Sequence, residues 1–385
     1  MAPSQQAAWR NAPDAEELER RRTVNINKET VTDISSIEYP GHVPGEDAAF
    51  SIERFREGFS VNFHRNDQFD ASFSLIGIDA SLANAFRRIL IAEIPTLAIE
   101  YVFIENNTSV IQDEVLSHRL GLIPFKGGRA GLQDFLKWRK KPADAADDDF
   151  GAGCFDYNTV RLELNVTCTP NKDVAPEDAD DPTRAYHNAH VYARDIVFVP
   201  TGAQEKYFSG ADAIAPVNPD ILIAKMRPTQ TINLSMHMHK GVGADHAKFS
   251  PVATASYRLL PTITILRPIV GPDAEKFQGC FPAGVIGLRK VTKKEAAEPG
   301  SGLATADVGQ MRAVVEDPMK DTVSRECLRH PEFEGKVRLG RRRDHFIFAI
   351  ESTGQWDSDE LFLESVKHLK LKCQRLEKQI LNMTR

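Results

Sequence analysis

The sequence predicts an α+β protein in which two domains follow a polar N-terminal arm. Three observations support this fold class. The end of the chain carries a helical heptad repeat, several segments alternate apolar and polar residues as half-buried strands do, and 385 residues exceed the usual size of one compact core. Residues 1–50 lack apolar periodicity, so we expect a flexible arm there, with a short helix from Asp14 to Arg22.

The composition is typical of a globular protein whose main function is not nucleic-acid binding. Hydrophobic residues make up 42% of the chain and charged residues 26%, and the net charge is −6. Because nucleic-acid-binding proteins usually carry a basic footprint, we expect only indirect contact with nucleic acid. At Lys336–Arg343, where five of eight residues are basic, a solvated surface loop is favoured over a phosphate contact. No apolar run approaches the roughly 18 residues of a membrane helix, so no membrane partner is expected.

The first ordered elements are predicted from about Phe59 onward. Residues 73–78 indicate a buried strand, and Asp79 or Ser81 then caps a helix that runs to Ile94. Pro95 ends this helix because proline cannot continue it. The segment from Ala98 to Ile104 is apolar on both faces, which predicts a central strand.

The middle of the chain predicts a separate, sheet-rich domain at residues 105–257. Residues 160–168 and 232–238 alternate apolar and polar side chains with the period of half-buried strands. The stretch from Asn171 to Arg184 between them is rich in Pro and Asp and predicts an exposed loop. Apolar strands return at residues 263–266 and 346–350, and Val291–Gly309 predicts a mobile loop.

The C-terminal segment predicts a helix that packs lengthwise against another helix. Asp357, with Glu360 three residues later, resembles a capping box. Spacings of 4, 3, 4, 3 and 4 then separate the apolar positions of a heptad seam: Phe362, Val366, Leu369, Cys373, Leu376 and Ile380. The seam either docks on the chain's own core or pairs with a second chain. The terminal position and the heptad period favour a second chain.

Five cysteines lie far apart in the sequence: Cys154, Cys168, Cys280, Cys327 and Cys373. This spacing indicates a reduced compartment and no disulfide framework. A zinc site wants four converging ligands, usually with close cysteine pairs, so no metal site is predicted.

Several motifs resemble those of the RNA polymerase alpha-subunit family. SLANAFRRIL at residues 81–90, followed by EIP at 93–95, resembles the family's signature helix. SHRLGLIP at 117–124 and HAKFSPV at 246–252 resemble stretches of its archaeal and eukaryotic members. DTVSRECLRH at 321–330 and RDHFIF at 343–348 are similar to the member common to polymerases I and III.

The resemblance implies a discontinuous dimerisation domain, with helices on a mixed or antiparallel sheet. Its two pieces are residues 51–104 and 258–385, and the inserted, mainly-β domain is 105–257. The implied function is a non-catalytic scaffold subunit with no catalytic residues and no cofactor. Its implied location is the nucleus, both nucleolus and nucleoplasm.

The implied partners are other polymerase subunits. The chain would pair with a small alpha-like subunit, and this platform would dock the second-largest and largest subunits of polymerases I and III, with small zinc-binding common subunits nearby. Phe86, Ile89 and Leu90 would join the seam residues at the contact with the small partner. The family positions that face the second-largest subunit match Asn84, Arg87 and Arg88.

Alternative functions come from other classes. The polymerase II counterpart carries a cysteine-rich zinc loop, whereas this insert has only Cys154 and Cys168, fourteen positions apart, which favours polymerases I and III. A stand-alone metal-dependent enzyme would use His237, His239 and His246, but no acidic ligand or base accompanies them, so exposed strand histidines are favoured. A nucleic-acid-binding module is disfavoured because aromatic and basic residues do not interleave.

Overall fold

The computed structural model describes residues 22–34, 50–140, 153–172 and 181–383. The α-helices are α1 (Ile52–Gly58), α2 (Ala80–Ala92), α3 (Asp113–Gly121), α4 (Pro182–Ala185), α5 (Gln204–Tyr207), α6 (Pro272–Gly279), α7 (Lys293–Ala297) and α8 (Ser358–Met383). Gly131–Phe135 forms one turn of π-helix. Short 3₁₀ turns lie at Ala193–Asp195, Gly210–Asp212, Ala247–Phe249, Thr305–Asp307, Pro318–Lys320, Glu326–Arg329 and Pro331–Phe333.

The strands follow in chain order. They are β1 (Thr23–Ile26), β2 (Val31–Thr32), β3 (Ser60–Asn66), β4 (Asp70–Ile76), β5 (Thr96–Asn107), β6 (Phe125–Lys126), β7 (Val160–Thr167), β8 (Thr169–Pro170), β9 (Tyr186–His187), β10 (His190–Tyr192), β11 (Val197–Val199), β12 (Ala215–Pro216), β13 (Leu222–Lys225), β14 (Thr231–Gly241), β15 (Val252–Ile265), β16 (Ile286–Lys290), β17 (Met311–Val315) and β18 (Val337–Ser352). Helices combined with antiparallel sheets confirm the predicted α+β class. No described helix is long and apolar enough to cross a membrane.

The chain divides into two compact units. The first lies within Met1–Phe63, Phe73–Ala83 and Tyr257–Phe348, and the second within His64–Ser72, Asn84–Ser256 and Ala349–Arg385. This division does not follow the predicted domain boundaries, since α8 groups with residues of the predicted insert. The division into a dimerisation domain and an insert therefore stays a prediction.

A six-stranded sheet has the order β2-β1-β18-β4-β3, with β15 also paired to β18. Strand β1 runs antiparallel to β18, from Thr23 opposite Arg342 to Ile26 opposite Leu339. The expectation of a flexible arm is therefore wrong for residues 23–32, because a pairing partner some 300 positions away orders them. The predicted helix at 14–22 falls almost entirely outside the described residues.

A strand pair and a helix complete the first unit. Strands β16 and β17 pair antiparallel, and α6 shares their core through Phe277, which is fully buried. The predicted mobile loop at 291–309 contains α7 instead. Thr292 Oγ1 accepts from the Glu295 N–H, and the Glu295 carboxylate accepts from the Thr292 N–H, so a capping box fixes that turn.

The second unit is built on a four-stranded antiparallel sheet in the order β11-β7-β14-β5. The predicted alternation is confirmed in β7 and β14, where every second side chain is buried over most of the length. The prediction of β5 as a central strand is wrong, because it lies at the end of this order. Its apolar residues are buried instead by α3, whose Leu116 and Leu120 share a core with Ile99.

Candidate partner interface

Helix α2 begins where the sequence predicts. Asp79 Oδ1 accepts a hydrogen bond from the Ser81 N–H at 2.8 Å, which satisfies one of the free amides at the helix start. The helix ends at Ala92, whose carbonyl accepts from the Ala244 N–H at 2.9 Å. Gly243 lies so close that an added Cβ would stand 2.1 Å from the Ile91 carbonyl oxygen. The β14–β15 connection therefore requires glycine where it passes the end of α2.

Helix α8 is anchored at its N-terminal end. The Leu361 N–H donates to the Asp357 carbonyl at 3.1 Å, which places Asp357 at the predicted cap position. Ser358 Oγ donates to the Asp67 carbonyl at 2.6 Å. Leu361 and Ser365 are fully buried, so the first two turns belong to the chain's own core.

Two contacts hold α8 beside the end of α2 within the second unit. Phe86 and Phe362 meet edge to face, with ring centroids 5.4 Å apart. Directly after α2, Glu93 accepts from Lys372 Nζ at 2.7 Å on each carboxylate oxygen. This ion pair is partly exposed and contributes about 0–1 kcal/mol, so the aromatic contact carries more of the attachment.

The second half of α8 is exposed along its whole described length, from Lys370 to Met383. The exposure of the seam residues generally increases toward the end of the helix. Phe362 is only 7% exposed and Leu369 is half-buried, whereas Val366, Leu376 and Ile380 are 40%, 58% and 61% exposed and Cys373 is also exposed. Docking on the chain's own core thus accounts for the start of the helix, and its later turns carry an exposed apolar stripe.

Sequence reasoning missed one seam residue. Met383 follows Ile380 by the three-residue spacing of the heptad and is 86% exposed. The spacing alone was the signal that identifies it.

Two residues assigned to the partner contact lie inside the chain's own core. Ile89 is 2% exposed and Leu90 is fully buried, so neither offers surface to another chain. Phe86 is half-buried and keeps some accessible surface. The helical pattern identified the apolar face of α2 but not which part of it the chain covers itself.

The polar face of α2 is partly organised. Arg87 Nη2 and Nε donate to Asn84 Oδ1 at 2.8 and 3.1 Å, one turn apart on the helix. Arg88 is exposed. The arrangement holds the Arg87 guanidinium in one orientation and leaves three of its five N–H groups for other acceptors.

The histidines considered as metal ligands do not form a cluster of ligands. His239 is only 5% exposed, so the expectation of an exposed strand histidine is wrong there. Burial, with Arg139 nearby, lowers the pKa of His239 to about 3. His246 Nδ1 accepts from the Lys248 N–H at 3.1 Å. Among the described residues, no group of three or more His, Cys, Asp or Glu side chains is arranged to hold a metal ion.

Comparison with known proteins identifies the family. The family model of the RNA polymerase Rpb3/Rpb11 dimerisation domain matches residues 72–373. The chain is 48% identical over 354 residues to the Saccharomyces cerevisiae protein named "DNA-directed RNA polymerases I and III subunit RPAC1", covering 92% of this chain and 97% of that one. The Homo sapiens protein of the same name is 42% identical, over 93% and 94% of the two chains.

A more distant relative is the Dictyostelium discoideum "DNA-directed RNA polymerase II subunit rpb3", which is 30% identical over 80% of this chain and 90% of its own length. The match to the dimerisation domain runs from strand β4 into helix α8, and so includes all of α2 and α8 as far as Cys373. The chain belongs to the RNA polymerase Rpb3/Rpb11 dimerisation-domain family.

Proposed function

We propose that this chain is a non-catalytic assembly subunit of nuclear RNA polymerases I and III. Relatives named as the shared subunit of these two polymerases are 37–48% identical over more than 90% of both chains, and the polymerase II relative is 30% identical. The alternative of a polymerase II subunit is therefore less supported. Nucleotide addition is assigned to other subunits of the complex.

The observation that carries the pairing proposal is the exposed stripe on α8. Helices that expose leucine and isoleucine at heptad spacing usually pack against a partner helix. Burial of each such side chain contributes about 1.5–3 kcal/mol to the free energy of that association. A small alpha-like subunit supplies a helix of that kind. We assign to this contact Phe86, Val366, Leu369, Cys373, Leu376, Ile380 and Met383; Phe362, which the sequence also predicts there, is covered by the chain's own core.

A second surface recruits the large subunits. Arg88 is exposed, and Arg87 is oriented by Asn84, so both guanidinium groups can form bidentate contacts with carboxylates or backbone carbonyls. We assign this surface to the second-largest subunit, which then brings in the largest one. Small zinc-binding subunits common to the polymerases complete the platform. The complex works in the nucleolus and the nucleoplasm, where polymerases I and III transcribe.

Affinity purification of the tagged chain from nuclear extract tests the proposal. We expect mass spectrometry to identify the largest subunits of both polymerases I and III with one common small partner. Recovery of polymerase II subunits alone would overturn the assignment to polymerases I and III but would not contradict the fold. A chain recovered without any polymerase subunit would contradict the scaffold role itself.

A further inference from the structure

Two groups of ring side chains lie in the second unit. Phe155 and Tyr157 stack with centroids 5.2 Å apart and planes 7° apart. Tyr101 meets His239 at 5.5 Å, His239 lies 6.4 Å from His237, and His237 meets Phe103 at 4.8 Å, each edge to face. We call these six rings the ring ladder: Phe155, Tyr157, Tyr101, His239, His237 and Phe103.

A single basic segment joins the two parts of the ladder. The Lys137 N–H donates to the Tyr157 carbonyl at 2.7 Å, and the Lys137 ammonium lies 5.7 Å from the centre of the Tyr157 ring. Two residues later, the Arg139 guanidinium lies 5.1 Å from the centre of the Tyr101 ring. Lys137 and Arg139 flank Trp138 in the sequence, so the expectation that aromatic and basic residues do not interleave is wrong in this segment.

The rings at one end of the ladder are accessible. Phe155 is 54% exposed, Tyr157 38% and the neighbouring Trp138 48%. A monomeric fold normally buries such rings, and their stacking as a pair gives a flat platform of ordered aromatic surface.

The basic segment supplies positive charge along the ladder, and Asp156, between the two stacked rings in the sequence, accepts from the Ala203 N–H at 2.9 Å. Lys137 and Lys140 are exposed, and Arg139 lies between them. Arg161 also borders His237, but Glu163 pairs with it at 2.8 Å and neutralises it. Burial, with Arg161 and Arg139 nearby, lowers the pKa of His237, so this imidazole is a neutral ring near neutral pH.

We propose that the ring ladder binds single-stranded nucleic acid, with bases stacked on Phe155, Tyr157 and Trp138 and phosphates paired with Lys137, Arg139 and Lys140. Unpaired bases present flat faces that continue an aromatic stack, and a cation beside each ring meets the phosphate that follows each base. A duplex hides those faces. The inference is independent of the partner assigned to α8.

Fluorescence anisotropy with the full-length chain tests this site. The probes are a labelled single-stranded RNA of about 12 nucleotides, DNA of the same sequence, and the corresponding RNA duplex. We expect the Phe155→Ala/Tyr157→Ala variant to bind the single strands about a hundredfold more weakly, since each of the two lost stacks weakens binding about tenfold. Phe50→Ala removes an exposed ring elsewhere and is expected to leave affinity unchanged.

Salt dependence tests the phosphate contacts. Each neutralised phosphate contributes about 0.7 to the slope of log affinity against log salt for single strands, so Lys137→Gln/Lys140→Gln is expected to reduce the slope by about 1.4. The control Lys206→Gln/Lys225→Gln changes two exposed lysines outside the ladder and should keep the slope.

Tighter binding of either single-stranded probe supports the proposal. The tighter probe shows whether the site prefers RNA or DNA. The proposal is overturned if no single strand binds, if the duplex binds as tightly, or if the aromatic double variant keeps wild-type affinity. Equal competition by a polyglutamate peptide would also overturn it, because that result would reduce the site to a general anion patch.

Discussion

His239 lies on β14 with its Nε2 atom 3.1 Å from Thr159 Oγ1, and it is one of the few buried titratable groups of the second unit. Its burial has a local cause. The Tyr101 ring packs edge to face against the His239 ring, with centroids 5.5 Å apart, and Thr159 contacts its Nε2 atom. The sequence pattern predicts both histidines to be exposed, because contacts from other strands leave no mark on the alternation of residue types.

The buried His239 predicts a pH dependence of stability. Its pKa falls from the ordinary 6.5 to about 3 in the folded chain, so between these values the unfolded chain binds a proton that the folded chain does not. The contribution of His239 to stability is therefore constant above pH 6.5 and decreases as pH falls through this window, by up to about 1.4 kcal/mol per pH unit. Urea unfolding at about pH 7 and about pH 5 measures the effect.

Substitution isolates this histidine. His239→Gln removes the titration, so its free energy of unfolding is expected to change less between the two pH values than that of the wild type. His187→Gln alters an exposed histidine and should keep the wild-type dependence. An identical pH dependence in His239→Gln and wild type would contradict the assignment.

At the scale of elements, the sequence predicts those features that depend on residues close together in the chain. The cap at Asp79, the alternation in β7 and the heptad of α8 each depend on neighbours within a few positions, and each appears in the structure. The pairing of β1 with β18 could not be predicted, because Thr23–Ile26 is too short to show a period and its partner lies far along the chain. The burial of Ile89 and Leu90 is equally non-local, since it depends on which elements cover α2.

The polar face of α2 predicts a separable loss of assembly. Arg87→Ala/Arg88→Ala removes two guanidinium groups and no buried apolar surface, so the chain should fold and keep its small partner. Recovery of the second-largest subunit is expected to fall at least about fivefold, because contacts made by charged hydrogen-bond donors contribute about 1.5–3 kcal/mol each. Quantitative mass spectrometry of the purified complex measures both partners at once.

A conservative variant separates charge from geometry on that face. Arg87→Lys/Arg88→Lys keeps the charge and loses the planar fork, so recovery should remain partly reduced. Full recovery of the second-largest subunit with the alanine variant would contradict the assignment of this surface.

At the scale of the whole molecule, the central claim is that α8 joins the chain to a partner. The first turns of α8 are fixed within the second unit by Phe86 and Asp67, and Glu93 pairs with Lys372 farther along the helix. The later turns carry exposed apolar residues at heptad spacing. This arrangement favours binding of a partner, because the first turns hold the helix in place before the partner binds and so lower the entropy cost of association. The family match extends into this helix, to residue 373.

The most direct test of that claim is co-purification of the chain with its small alpha-like partner after Leu369→Asp/Leu376→Asp. Two carboxylates in the seam should abolish recovery of the partner while the second unit stays folded, as its circular dichroism would report. Leu363→Asp/Leu371→Asp places the same charges on α8 outside the seam and should retain the partner. Stoichiometric recovery of the small partner with the seam variant would contradict the account.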